Sequence, residues 1–287
     1  MSQKNKASEI GLGQARRICG ISAKRRLEFI AEGLPLIFRS AQSLIKASQT
    51  LTDFSREAEI LERHAEEECA KILILIDIVR CPPKFVASRI GSMMKWFYDH
   101  LARSIYAEAQ SWKPVSMTQL QEYVDDERQS HYLEGEYGEY IMPNWTLFWR
   151  ESSLYADVSG NEEGELTWNS PIYDLPRFGA FDPASYRIAD ALDAFGVFTL
   201  AGLKIVNEVW GKVNFQGDQH WGISRALCDE MVERLYSAGL IVDRAAEGHV
   251  RTLVNGWQMP MYHVDFSRIS VSLDELRERR DRNLPYC

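Results

Sequence analysis

The sequence predicts a mainly α protein, an antiparallel helical bundle followed by a C-terminal helical extension containing short β elements. Apolar residues recur at helical spacing over most of residues 21–112. The Cys81-Pro82-Pro83 break between two long periodic segments leaves room only for a tight turn, which makes those segments antiparallel neighbours. Strand-like runs are brief and confined to the second half of the chain.

At 287 residues the chain can bury a substantial core without disulfides or a structural metal. Its net charge of -8 argues against a protein that coats nucleic acid non-specifically, since phosphate contact needs a locally positive surface. Cys19, Cys69, Cys81, Cys228 and Cys287 are scattered, with no C-x-x-C pair, so neither a disulfide framework nor a thiolate zinc site is expected. The polar start, Met1 to Lys6, precedes no apolar run with the length or flanks of a signal peptide. The longest apolar run, residues 72–76, is too short to span a bilayer. These features predict a soluble cytoplasmic protein with no membrane partner.

Residues 1–20, dotted with Lys, Arg and Gly, read as a flexible N-terminus. The bundle core is expected over residues 21–113. Its first helix, over residues 21–48, carries Leu27, Ile30, Leu34, Phe38, Ala41 and Ile45 on one face and should bend or break at Gly33 and Pro35. A second helix runs over residues 53–80, with Thr52, Asp53 and Ser55 as N-cap candidates. The third begins at Pro83 and continues to residue 112. Residues 114–183 read as irregular, with a short helix over 117–127 and a hairpin pairing 154–158 with 165–168 around Ser159-Gly160-Asn161. In the C-terminal region, 184–287, helical periodicity spans 184–210 and a helix over 221–238 stops at Gly239. Residues 248–254 and 259–266 look extended, and the charged stretch 275–282 reads as a solvated helix.

Function is sought in polar residues that fall where apolar ones belong. On the second helix Ala58, Leu61, Ala65, Ile72, Ile76 and Val79 define an apolar stripe, with Glu59, Glu62 and Glu66 on the opposite, solvated side. Glu68 falls within the stripe, flanked by His64 and Lys71. Burying an unpaired carboxylate costs several kcal/mol, so Glu68 needs a partner. His100 and Arg103, a turn apart on the third helix, lie at a comparable distance from the Pro82 turn and should meet it, with His64 and Asp99 in support. A Glu/Lys/His/Arg cluster suits phosphodiester chemistry: His100 moves the proton, Arg103 and Lys71 hold the phosphate, and Glu68 orients them. The same residues also read as a buried ion-pair network that fixes helix register. That alternative describes a non-catalytic interaction protein.

The run Ala65-Glu66-Glu67-Glu68-Cys69-Ala70-Lys71-Ile72-Leu73-Ile74-Leu75-Ile76-Asp77, followed by Phe97-Tyr98-Asp99-His100-Leu101-Ala102-Arg103-Ser104-Ile105-Tyr106-Ala107, resembles the AbiV family of bacterial abortive-infection proteins. That family lies within the HEPN-like helical superfamily. The resemblance covers residues 21–112 and implies an up-and-down helical bundle, a role in defence against phage, and homodimerisation. It also implies a metal-independent ribonuclease or RNase-like toxin that needs no cofactor. The superfamily's usual order, Arg before His on one helix, is inverted in His100-Leu101-Ala102-Arg103. Arg244 and His249 fit the literal spacing, but Ala245 replaces the polar residue and Gly248 sits inside the motif.

His131, His220, His249 and His263 stand apart from other residues at metal-ligand spacing, so no metal site is expected. The order of a helix over residues 221–241 and a hairpin over 244–264 also fits a winged-helix DNA-binding regulator. Asp229, Glu230 and Glu233 make that helix a poor phosphate-facing surface.

Overall fold

The structure, a computed structural model, describes residues 10–134, 140–142, 144–160, 165–171 and 182–283. Twelve helices and two small antiparallel hairpins form among these residues, as the mainly α expectation requires. None of the helices is long and apolar enough to cross a membrane.

The fold is arranged around α3 (Ser55–Arg80). From Cys69 to Cys81 every residue but Lys71 is buried, because this part of the helix is apolar nearly all round and has neighbours on all sides. Those neighbours are α2 (Ala23–Thr50), α4 (Pro83–Tyr98), α5 (His100–Glu108), α8 (Ala184–Ala194) and α9 (Leu200–Trp210). On α2, Ile30, Leu34, Phe38, Ala41 and Ile45 form the buried stripe. The break expected at Gly33 and Pro35 does not occur: α2 runs through both, its packing along α3 outweighing one lost backbone hydrogen bond. Ser22 caps α2 by accepting from the Arg25 amide. Of the cap candidates for α3 none serves, since the helix starts after Phe54 without a side-chain cap.

Two polar residues are sealed inside this core. Arg80 donates to Asp77 and to the Gln258 carbonyl (3.0 Å), with its guanidinium carbon 3.9 Å from the Trp257 ring centre and 4.7 Å from that of Trp210. Asp77 also accepts from the Tyr106 hydroxyl and the Met261 amide. The group ties the segment after Gly256 to the central helix.

The third predicted helix is two helices. At Asp99 the backbone turns extended, and the Asp99 carboxylate caps α5 by accepting from the Ala102 amide at 2.8 Å. Ahead of the bundle, α1 (Ile10–Gly20) packs on α4, so the flexible N-terminus expected over residues 1–20 is helical from Ile10. Residues 1–9 lie outside the described residues.

After the bundle α6 (Met117–Gln129) forms where a short helix was expected. Strands β1 (Tyr132–Glu134) and β2 (Tyr140–Met142) make a first hairpin. An unpredicted helix follows, α7 (Trp145–Leu154), which packs on α3 and α5. Its cap is Asn144, which accepts from the Leu147 amide and donates to the Glu127 carbonyl. The second hairpin pairs β3 (Asp157–Gly160) with β4 (Leu166–Asn169), Val158 opposite Trp168. Leu154 ends α7 rather than opening that hairpin.

The periodicity over 184–210 divides into α8 and α9 at Gly196, whose φ of 70° suits glycine, and a Cβ there would meet the Leu240 carbonyl oxygen at 2.3 Å. Helix α10 (Trp221–Ser237) ends before Gly239 as expected. Where residues 248–254 looked extended the chain forms α11 (Glu247–Gly256), packed on α8, and residues 259–266 contain no strand. The hairpin expected over residues 244–264 is therefore absent, and with it the β-ribbon of a winged helix. Helix α12 (Leu273–Asn283) takes up the charged end.

Candidate functional site

Glu67 is the carboxylate on which the basic residues converge. Its side chain is 8% exposed and faces the junction of α3, α5 and α7. One oxygen, Oε1, accepts from Arg150 Nε at 2.9 Å. The other, Oε2, lies 2.7 Å from Arg103 Nη2 and 2.8 Å from His100 Nδ1. Burial alone would raise the Glu67 pKa, but the hydrogen bond from Arg150 and the charges of Arg103, His100 and Arg150 outweigh it and hold the group below the ordinary carboxylate value.

The sequence placed Glu68 at this position, and the structure corrects that. Glu68 is one residue, about 100°, further round the helix. It pairs with Lys71 on its own helix, both being about one-fifth exposed, and the Lys71 ammonium lies 5.8 Å from the Phe97 ring centre. His64 is engaged through Nδ1 with the Ile60 carbonyl, 2.8 Å away, and joins no cluster. Asp99 acts as the cap of α5, which sets the position of His100 at the helix start. Of the six residues singled out, His100 and Arg103 meet each other, and the glutamate they share is the neighbour of the one expected.

His100 differs from its partners in being 52% exposed. Arg103 Nη2 is 2.7 Å from both His100 Nδ1 and Glu67 Oε2. Nδ1 therefore lies between a carboxylate oxygen and a guanidinium nitrogen, while Nε2 has no partner among the described residues. Arg103, 8% exposed, is further fixed by the Phe97 carbonyl. The Nη groups of Arg150 have no partner among the described residues.

Beside this junction opens a cleft of about 610 Å³, lined by Trp145 and Trp149, by Arg63 and Arg150, and by the carboxylates Glu59, Glu62, Glu66, Glu67, Glu108 and Glu127. Neither His100 nor Arg103 is among its lining residues, nor are Glu68 and Lys71. Glu66, expected to be solvated, is drawn into the wall. Burial pushes its pKa up to about 7 against the lowering effect of Arg63. Glu108 is also pushed up to about 7, by burial and by the charge of Glu127. An acidic lining of this kind repels phosphate.

Arg244 and His249 both reach Asp190 on α8: Arg244 Nη1 at 2.7 Å and His249 Nε2 at 3.1 Å. His249 Nδ1 accepts from the Ala246 amide at the start of α11, so both ring nitrogens are occupied. Among the described residues no group of three or more His, Cys, Asp or Glu side chains is placed to hold a metal ion.

Sequence reasoning missed Glu67, Glu66 and Arg150. The cap signal of Asn144 before an aromatic run was the one local clue to α7, which carries Arg150 and covers the flank of α3 where both glutamates lie. Compared with protein-family models, curated proteins and solved structures, the chain matches none.

Proposed function

We propose that this protein is an anti-phage abortive-infection effector with a metal-independent, ribonuclease-like centre at His100, acting in the cytoplasm as a homodimer. The defence role and the dimer follow from the resemblance in residues 65–77 and 97–107. The chemical reading is carried by one observation: a buried glutamate lies 2.8 Å from Nδ1 of a half-exposed histidine whose Nε2 has no partner among the described residues. In this reading Nδ1 donates to Glu67 and Nε2 accepts the proton of a ribose 2′-hydroxyl as its oxygen bonds to phosphorus; the bond from phosphorus to the 5′-oxygen breaks, and that oxygen takes a proton from water. Glu67 stabilises the imidazolium that forms, and Arg103 and Arg150 hold Glu67 in place. The acidic cleft keeps the RNA backbone on the outer side of His100.

The test is cleavage of single-stranded RNA by the purified full chain in the presence of EDTA. Wild type is expected to cut, and His100→Ala, matched for its melting curve, to lose at least about 100-fold in rate, the lower end of what a general base contributes. No cleavage by wild type, or equal cleavage by His100→Ala, counts against the enzyme.

A second reading is favoured by the complete occupation of the Glu67 oxygens by three basic groups and by the burial of Arg103. These are features of a register lock in a non-catalytic protein that binds a phage or host protein. On that reading wild type leaves RNA intact while Glu67→Gln still melts at a much lower temperature.

A further inference from the structure

Ser111 and Ala184 form a ridge shared by the acidic cleft and a second pocket of about 350 Å³. The charged side chains lining this second pocket are Lys113, Arg187 and Arg251, with no carboxylate among its described lining residues. In a protein of net charge -8, three cations around one concavity are a local reversal of sign.

Each cation is placed differently. The Arg187 side chain makes no hydrogen bond or ion pair with any described residue, its backbone amide alone donating to the Pro183 carbonyl. Lys113 is held in position, its ammonium donating to the Asn255 carbonyl at 2.9 Å and lying 5.0 Å from the Trp221 ring centre. Burial and the neighbouring charge of Arg187 both lower the Lys113 pKa, so the ammonium lacks a counter-charge there. Arg251 contacts Glu247 at 3.1 Å, but both side chains are largely exposed, and such a pair holds it weakly.

The surroundings suit an anion as well. Ser111, Thr252 and Asn255 offer neutral hydrogen-bonding groups on the same walls. The first turn of α8, whose Ala184 lies on the rim, has no side-chain cap, and the acidic residue nearest in sequence, Asp182, precedes the N-cap Pro183.

We propose that this pocket binds a phosphate group, with Arg187 and Arg251 gripping its oxygens and Lys113 supplying a fixed positive charge. Its volume is at the lower end for small-molecule sites and accommodates a ligand of mononucleotide size. None of its three cations takes part in the Glu67 junction, so the site stands whether or not His100 is catalytic.

Isothermal titration of the full chain with inorganic phosphate, and separately with a 5′-mononucleotide, tests the proposal and separates the two sources of the anion. Saturable one-to-one binding of either probe is expected, weakened at least about tenfold by Arg187→Glu. Tighter binding of the nucleotide assigns the site to a phosphorylated small molecule, and equal or tighter binding of phosphate assigns it to the free anion. Arg251→Glu is the second variant should Arg187→Glu lower the melting temperature. Arg225→Glu, an exposed change of the same charge outside the pocket, is the control. Absence of saturable binding, or equal weakening by the Arg225→Glu control, overturns the proposal.

Discussion

Glu67 and Glu68 differ by a single step around α3, and their predicted responses to substitution differ accordingly. Glu67→Gln leaves Arg103 and Arg150 without their counter-charge in a buried junction, and removal of one partner from such a network costs about 3–5 kcal/mol. Glu68→Gln breaks a partly exposed pair within one helix and should cost no more than about 1 kcal/mol. Chemical denaturation of both variants at neutral pH checks the order. The pH dependence of Glu67 and its half-buried neighbour Glu66 runs in opposite directions. Because the Glu67 pKa is lowered by folding, its contribution is present above the ordinary carboxylate range and is lost as pH falls through the lowered value. Glu66, raised to about 7, stabilises only while protonated, and that contribution is lost as pH rises from its ordinary value through 7. Glu66→Gln is therefore expected to raise stability by about 1 kcal/mol at pH 8, after discounting for solvent at the cleft, and to be neutral near pH 4. A melt series over that range reads it out.

At the level of elements, two short stretches decide how the helices meet. Asn144 both starts α7 and is completely buried, bonded to the Leu147 amide and the Glu127 carbonyl. Asn144→Ala should cost about 1–2 kcal/mol. If α7 then loosens, Arg150 leaves Glu67, and hydrogen exchange should rise in α7 before it rises in α3. Gly196 turns α8 into α9 with a left-handed backbone against the Leu240 carbonyl, so Gly196→Ala is expected to cost on the order of 2–3 kcal/mol in the same denaturation assay. The long helices were legible because their apolar spacing is regular, and Pro82-Pro83 marked the turn between α3 and α4. The reading failed where a single local feature overrides periodicity. Asp99 splits one periodic run by capping the next turn, and α11 forms despite Gly248 and its β-branched residues because its face packs on α8.

Across the whole molecule, the error over Glu67 has a topological origin. A one-stripe view of α3 treats one side as core and the rest as solvent, whereas α3 is enclosed and the side bearing Glu66 and Glu67 is roofed by α7 from about 80 residues downstream. No local pattern encodes that contact. Asp77 and Arg80, by contrast, interrupt an apolar run visibly, and their burial explains why such residues persist there: they bind the segment after Gly256 to the bundle centre. Asp77→Ala should therefore cost about 3–5 kcal/mol, and limited proteolysis should cut the chain after Gly256 more readily than in wild type.

The orientation of His100 by Glu67 underlies the proposed chemistry, and imidazole nitrogen-15 NMR of the intact protein measures it most directly. Wild type should show His100 protonated at Nδ1, with a downfield-shifted proton that disappears in Glu67→Gln and survives in Glu68→Gln. A His100 signal indifferent to Glu67→Gln, or one abolished by Glu68→Gln, would contradict the account.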